Sequence, residues 1–221
     1  MTAATQKAYI GMGMEGPIAR WYEKTTRKDM TGFRKLGARL VELLPAGGDV
    51  LEVAPGPGFL SVELARAGSL RVTALEISKT FVEIARKNAA EAGVATNIVQ
   101  GNAAQMPFAD ASFDLLVCRA AFKNFAEPAK ALQEMRRVLR PGGRAVIIDL
   151  RRDVSMREIN HYVDSLELGL VSRWFTSFTF RFMLLRRAHT VEAMRQLVAG
   201  IGFAKARIDT NDIGMEVWME R

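Results

Sequence analysis

Two carboxylates and two glycines carry the chemistry that can be read first. In Val50-Leu-Glu-Val-Ala-Pro-Gly-Pro-Gly-Phe-Leu-Ser-Val-Glu-Leu-Ala65 an apolar strand runs into a glycine turn and then an amphipathic helix. Gly56 and Gly58 permit a tight turn and a close approach of backbone to ligand, where a Cβ would collide. About 20 residues past that turn, Ala74-Leu-Glu-Ile-Ser78 sets an acid at a strand end. There Glu76 can accept hydrogen bonds from both hydroxyls of a ribose, and Ile77 can pack on an adenine face. The combination points to a nucleoside-bearing ligand.

The other reactive side chains offer less. His161 and His189 are the only histidines, and either could act as a base near neutral pH. His161 lies on the polar side of a helical pattern (Ile159, Tyr162, Val163, Leu166), and His189 precedes the Thr190 N-cap, so surface and capping roles fit better. The single cysteine, Cys118, excludes an intrachain disulfide and suits a core position better than a nucleophile. No Cys/His cluster has zinc-ligand spacing, so no metal is expected.

These residues need a scaffold, and the chain supplies an alternating one. Short apolar runs at Asp49–Val53, Arg71–Glu76, Thr96–Gln100, Phe113–Arg119 and Ala145–Asp149 are separated by helical patterns, among them Lys79–Ala92 and Pro128–Leu139. That order predicts a parallel, doubly wound α/β sheet with helices on both faces and ligands at the carboxyl ends of the strands. After a helix at about Val191–Ile201, strand-like runs Phe203–Thr210 and Gly214–Glu220 flank Asn211-Asp212, a link so short that only antiparallel pairing is allowed. Seven strands are therefore expected, mostly parallel, closed by a C-terminal antiparallel hairpin.

At 221 residues, without repeats or low-complexity linkers, the chain reads as one domain. It divides into an N-terminal helical lid (1–45), a core (46–150), a helical cap (151–188), and a last helix with the hairpin (189–221). No signal-like h-region opens it and no apolar run reaches the roughly 20 residues of a membrane span. A reducing cytoplasm is expected. The net charge of +7 is compatible with an anionic partner, whether nucleic acid, membrane surface or acidic metabolite, and does not choose among them.

The glycine turn and the acid after it resemble motif I and the following acidic motif of the class I S-adenosylmethionine-dependent methyltransferases. The resemblance continues through Gly101-Asn-Ala-Ala-Gln-Met-Pro-Phe-Ala-Asp-Ala-Ser-Phe-Asp-Leu-Leu-Val-Cys-Arg119 and Leu139-Arg-Pro-Gly-Gly-Arg144. It covers about residues 48 to 150 and keeps the family's order of parts. It implies a Rossmann-like fold with S-adenosyl-L-methionine as methyl donor. Glu52 would then approach the methionine amino group, and the backbone of Ala54, Pro55, Gly56 and Gly58 would line the methionine moiety. Glu76 and Ile77 would hold the ribose and adenine, Asn102 and Ala103 would border the adenine, and the backbone at Arg119, after Cys118, would face the sulfonium.

Two positions depart from the family's pattern. Ala54 stands where the first glycine is usual, which predicts a backbone that is not left-handed there. Asn102 replaces an acid whose partner is the adenine amino group; its amide oxygen can still accept, so weaker donor binding is expected. A nicotinamide dehydrogenase would need G-x-G-x-x-G, and Ser61 occupies the place of the third glycine.

Lys123-Asn124-Phe125 stands where similar small-molecule methyltransferases carry His-His-Phe or Arg-Asn-Val, the latter in the quinone C-methyltransferase group. The same group's downstream pattern resembles Ala131-Leu-Gln-Glu-Met-Arg-Arg-Val-Leu139. Substrate contact by Lys123 and an ordinary turn with a solvated lysine fit equally. Trp21 and Tyr22, in the N-terminal segment, could close over the donor or simply pack as a surface helix. In the cap, Phe175, Phe178, Phe182 and Leu185 recur at helical spacing among several arginines, suiting a roof over an apolar pocket, a homodimer contact or ordinary packing.

The resulting expectation is methyl transfer to a small, partly apolar or anionic acceptor by proximity and desolvation, with Lys123 and Tyr22 the only side chains offered for catalysis. A nucleic-acid or protein methyltransferase is the rival enzyme, and it lacks an Asn-Pro-Pro-Tyr-type motif after the fourth strand or an RNA-binding module. A non-catalytic domain binding a membrane or partner through the cap is the other rival.

Overall fold

The computed structural model describes residues 9–10, 13–164 and 185–221. Helices α1 (Gly16–Thr26) and α2 (Met30–Val41) precede β1 (Gly48–Val53), α3 (Phe59–Ala65), β2 (Leu70–Glu76), α4 (Lys79–Glu91) and β3 (Asn97–Gln100). Then come β4 (Phe113–Arg119), α5 (Pro128–Val138), β5 (Leu139–Leu150), α6 (Met156–Asp164), a last helix over Val191–Ala199, β6 (Lys205–Thr210) and β7 (Gly214–Glu220). The strands form one sheet in the order β3-β2-β1-β4-β5-β7-β6. The first five are parallel, and β7 runs antiparallel to both β5 and β6, as the short Asn211-Asp212 link requires.

Strand alternation decides which helix each side chain meets. Leu51, Val53, Leu116 and Cys118 face Leu132 and Met135 of α5 and Met194 and Val198 of the last helix. Val50, Leu115, Val117 and Val146 face Phe33, Leu36 and Leu40 of α2 and Leu60 and Leu64 of α3. Leu40 is fully buried, and its truncation to alanine would cost about 2–5 kcal/mol. By the same alternation Glu52 and Arg119 turn to the α2/α3 side. α2 thus belongs to the helical layer of the core, and of the N-terminal segment only residues up to about Thr26 lie across the carboxyl ends of the strands.

β5 starts at Leu139 instead of Ala145. The buried Leu139 already pairs with Phe113, after which the register shifts past Gly142 and Gly143 and resumes at Leu115 with Arg144. The Pro-Gly-Gly run that reads as a break is an irregularity inside the strand. The sheet's order reverses between β1 and β4, which opens the crevice where doubly wound folds bind ligands.

Candidate active site

The turn after β1 is fixed by backbone bonds and by glycine where glycine is needed. The Gly58 N–H donates to the Pro55 carbonyl at 3.1 Å. Gly58 is left-handed at φ 77°, and a Cβ there would stand 2.9 Å from the Cβ of Ala85, so it sets how closely α3 approaches α4. Ala54 overturns its expectation: it sits at φ 56°, in the left-handed region, and its N–H donates to the Leu75 carbonyl at 2.8 Å. The pull of the β1–β2 ladder holds it there at a cost of roughly 1–2 kcal/mol.

Glu76, 4% exposed, joins this turn to the next strand. Its two carboxylate oxygens accept from the Gly56 N–H at 3.0 Å and the Ser78 N–H at 2.9 Å. Burial raises its pKa, against the lowering effect of those backbone donors. A carboxylate has about four acceptor sites, so backbone donors do not exhaust its capacity.

Glu52 is the second buried acid. The Ser61 hydroxyl of α3 donates to it, and among the described residues no ion pair neutralises it. Burial pushes its carboxyl up from the usual 4.5 to about 7, and the bond from Ser61 and the field of Arg119 pull the other way. An acid kept without a counter-ion at a strand end is suited to an incoming cation.

Beside these acids a small cleft is lined by Val53, Ala54, Leu75, Ile77, Asn102 and Ala103, with Tyr9 and Phe125 at its border. Its wall is mostly apolar, as a planar base would need. The Asn102 side-chain oxygen accepts from the Ala104 N–H at 2.9 Å, so one acceptor position is spent on its own turn. Ile77 and Ala103 both line the cleft.

Residues after β4 and β5 are more tightly tied than their sequence indicates. Lys123 is not solvated: its ammonium donates to Asp149 Oδ1 at 2.7 Å and to the Ala120 carbonyl at 2.6 Å, and the two charged side chains are 10% and 2% exposed. Ala120 is left-handed, at φ 57°. So engaged, the Lys123 side chain ties the turn after β4 to β5. Arg119 ends β4, pairs with Asp29 at 2.7 Å and lies 4.2 Å over the Phe33 ring.

The N-terminal segment crosses this end of the sheet and is pinned on both sides. Ile10 N–H donates to the Asn124 carbonyl at 2.7 Å. Glu15 accepts from the Lys79 and Thr80 N–H groups, both at 3.0 Å, at the start of α4. Partial burial raises the Glu15 pKa, but bonds from Thr80, Ser78 and Lys79 outweigh it and the net shift is downward. Tyr22 packs edge-on against Phe81 at 5.8 Å and stands over Gly56, whereas Trp21 is 66% exposed and does not close over the cleft. Neither Glu15 nor Asp149 was legible as a site residue, because their partners lie 64 and 26 residues away.

Cys118 is fully buried and burial raises its thiol further, consistent with a core position. His161 is exposed, and half-buried His189 packs 5.7 Å from the Phe122 ring with its pKa lowered by burial. Thr190 does cap the last helix, accepting from Ala193 N–H at 3.0 Å. The cap positions Phe175, Phe178 and Phe182 lie outside the described residues.

The glycine turn and the buried acid bonded to it lie beside the apolar cleft, at the reversal of strand order. Residues 51–147 match the methyltransferase domain family model. The chain carries a methyltransferase domain. A demethylmenaquinone methyltransferase from Deinococcus radiodurans is 37% identical over 101 residues, 45% of this chain and 42% of that protein. A ubiquinone/menaquinone biosynthesis C-methyltransferase from Geotalea daltonii is 27% identical over 180 residues, 77% of this chain and 76% of that protein. In fold, the methyltransferase domain and its flanking elements match a Methanococcus maripaludis chain with TM-score 0.74 at 22% identity, over 99% of this chain and 96% of the other. A SAM-dependent methyltransferase from Aquifex aeolicus matches with TM-score 0.64 at 16% identity, over 86% and 97%.

Proposed function

We propose that the chain binds S-adenosyl-L-methionine in the β1–β2 cleft and methylates a small, partly apolar acceptor of the quinol type. The observation that carries this reading is Glu76, a buried carboxylate bonded to the glycine turn through Gly56 and held by Ser78, next in the chain to Ile77 and Leu75, which line the cleft. The residues present fit the donor. Glu76 meets the ribose hydroxyls, Ile77, Asn102 and Ala103 border the adenine, and Ala54, Pro55, Gly56 and Gly58 offer a close backbone approach to the methionine moiety. Glu52 matches the amino cation, because it is the buried acid without a counter-ion.

When bound, the donor would supply a methyl group on a positively charged sulfur: the acceptor's electron pair would form the new bond as the S–CH₃ bond breaks with its pair staying on sulfur, and the methylated acceptor would release one proton to solvent. The chain's part is to orient and to exclude water. Tyr22 over Gly56 and the strap at Ile10 and Glu15 shield the cleft. The Lys123–Asp149 pair fixes the backbone after Arg119, where the acceptor must meet the methyl group. Positioning and desolvation of this kind account for the rate without an assigned base.

The quinol class of acceptor is supported by the names of the Deinococcus and Geotalea relatives and by the apolar lining at Phe125. Calorimetric titration of S-adenosylmethionine and S-adenosylhomocysteine, with Glu76→Ala as control, tests the donor site. Methyl-label transfer to a short-chain demethylated quinol tests the acceptor. Absence of donor binding would overturn the whole reading; binding without transfer to any quinol would overturn the acceptor class.

A further inference from the structure

Among the described residues three large hydrophobic side chains are exposed: Trp21 at 66%, Ile10 at 52% and Met156 at 40%. Their places in the fold are not scattered. Ile10 is bonded to Asn124, just after β4. Trp21 sits on α1, which is tied by Gly16 to Thr80, just after β2. Met156 opens α6, just after β5. All three stand on the rim formed by the carboxyl ends of the strands, around the cleft. α6 adjoins the start of α2 and the end of β4 there, since Tyr162 lies within electrostatic reach of Asp29 and Arg119.

The same rim carries unpaired positive charge. Arg20, Lys24, Lys28, Arg152, Arg157 and Arg187 are exposed and have no ion-pair partner among the described residues. The rim's acids are largely spoken for: Glu23 by Arg27, Asp29 by Arg119, and Asp153 and Glu158 by Arg151. Bare cations on a soluble surface are ordinary, and so is one exposed apolar side chain. Their coincidence around a single opening is the signature of an interfacial surface, in which cations meet anionic headgroups and aromatic or aliphatic side chains enter the acyl boundary.

We propose that this rim docks on an anionic lipid bilayer, so that the cleft opens toward the membrane and receives its acceptor from it. This rests on the reading of the acceptor as partly apolar. Such a molecule partitions into lipid, and an enzyme whose opening faces the bilayer need not wait for it in water. Arg20, Trp21 and Lys24 of the docked face do not line the donor cleft, so the two can be tested apart.

The test is cosedimentation of the full chain with vesicles of phosphatidylcholine alone and of phosphatidylcholine with phosphatidylglycerol in equal parts. The expected result is binding to the mixed vesicles only, weakened by salt. Arg20→Glu with Lys24→Glu should lower that partition on the order of tenfold, and Trp21→Ser should lower it further, with S-adenosylmethionine affinity unchanged as evidence of an intact fold. No binding to mixed vesicles, equal binding to neutral ones, or full binding by the charge-reversed variant would overturn the proposal. A chain that methylates a water-soluble, tail-less quinol yet ignores vesicles overturns docking alone. One that binds vesicles but not the donor overturns the methyl-transfer reading instead.

Discussion

Replacing Glu52 with glutamine separates what this residue costs the fold from what it gives the ligand. Burial raises its carboxyl from 4.5 to about 7. The folded chain therefore holds this proton more tightly than the unfolded chain, so its contribution to stability is complete below pH 4.5 and is lost as pH rises through about 7. The shift corresponds to about 3 kcal/mol at full ionisation. Glutamine keeps the shape, and its amide can still bond the Ser61 hydroxyl, but it has no charge to desolvate. Glu52→Gln is therefore expected to match the parent in urea unfolding near pH 4.5 and to exceed it by up to about 3 kcal/mol near pH 8. Donor binding should move the other way. An amino cation requires the ionised acid, so binding to the parent releases a proton below pH 7 and its affinity should fall about tenfold per pH unit there. The variant should bind weakly at every pH. Equal stability differences at both pH values, or undiminished donor affinity in Glu52→Gln, would refute the assignment.

Three further substitutions test neighbouring claims. Lys123→Met leaves the Asp149 carboxylate buried and unpaired, and should cost about 3–5 kcal/mol in urea unfolding; a loss under 1 kcal/mol would mean that the pair is not the support described. Ala54→Gly relieves a left-handed alanine at the price of backbone entropy, and should stabilise the chain by about 0.5–1 kcal/mol in thermal unfolding, whereas a lower melting temperature would remove the strain. Asn102→Asp adds a charged acceptor beside the adenine position and should tighten S-adenosylmethionine binding about fivefold in calorimetry; unchanged affinity would place the adenine amino group elsewhere.

The sequence by itself determined the alternation of strands and helices, the antiparallel hairpin and the positions of Gly58, Glu76 and Ile77, because each follows from local periodicity or from a turn with few solutions. β4 and β7 fall at the bounds their apolar runs suggest, Phe113–Arg119 and Gly214–Glu220. Local pattern also shows that Glu52 stands next to last in its strand and that Glu76 ends its own. It does not show that the two acids differ, one held by backbone donors and the other left with a hydroxyl. That difference arises from which helix packs on each strand face. Only tertiary structure decided the fate of Lys123, whose partner Asp149 comes from the adjacent strand, and the left-handed turn at Ala54, which the ladder to Leu75 imposes against the residue's own preference. It also turned Tyr22 inward over Gly56 and Trp21 outward to solvent. Neighbours in sequence, they part because Tyr22 rests on Phe81 while Trp21 stands largely exposed, a distinction made by packing across the chain and invisible along it.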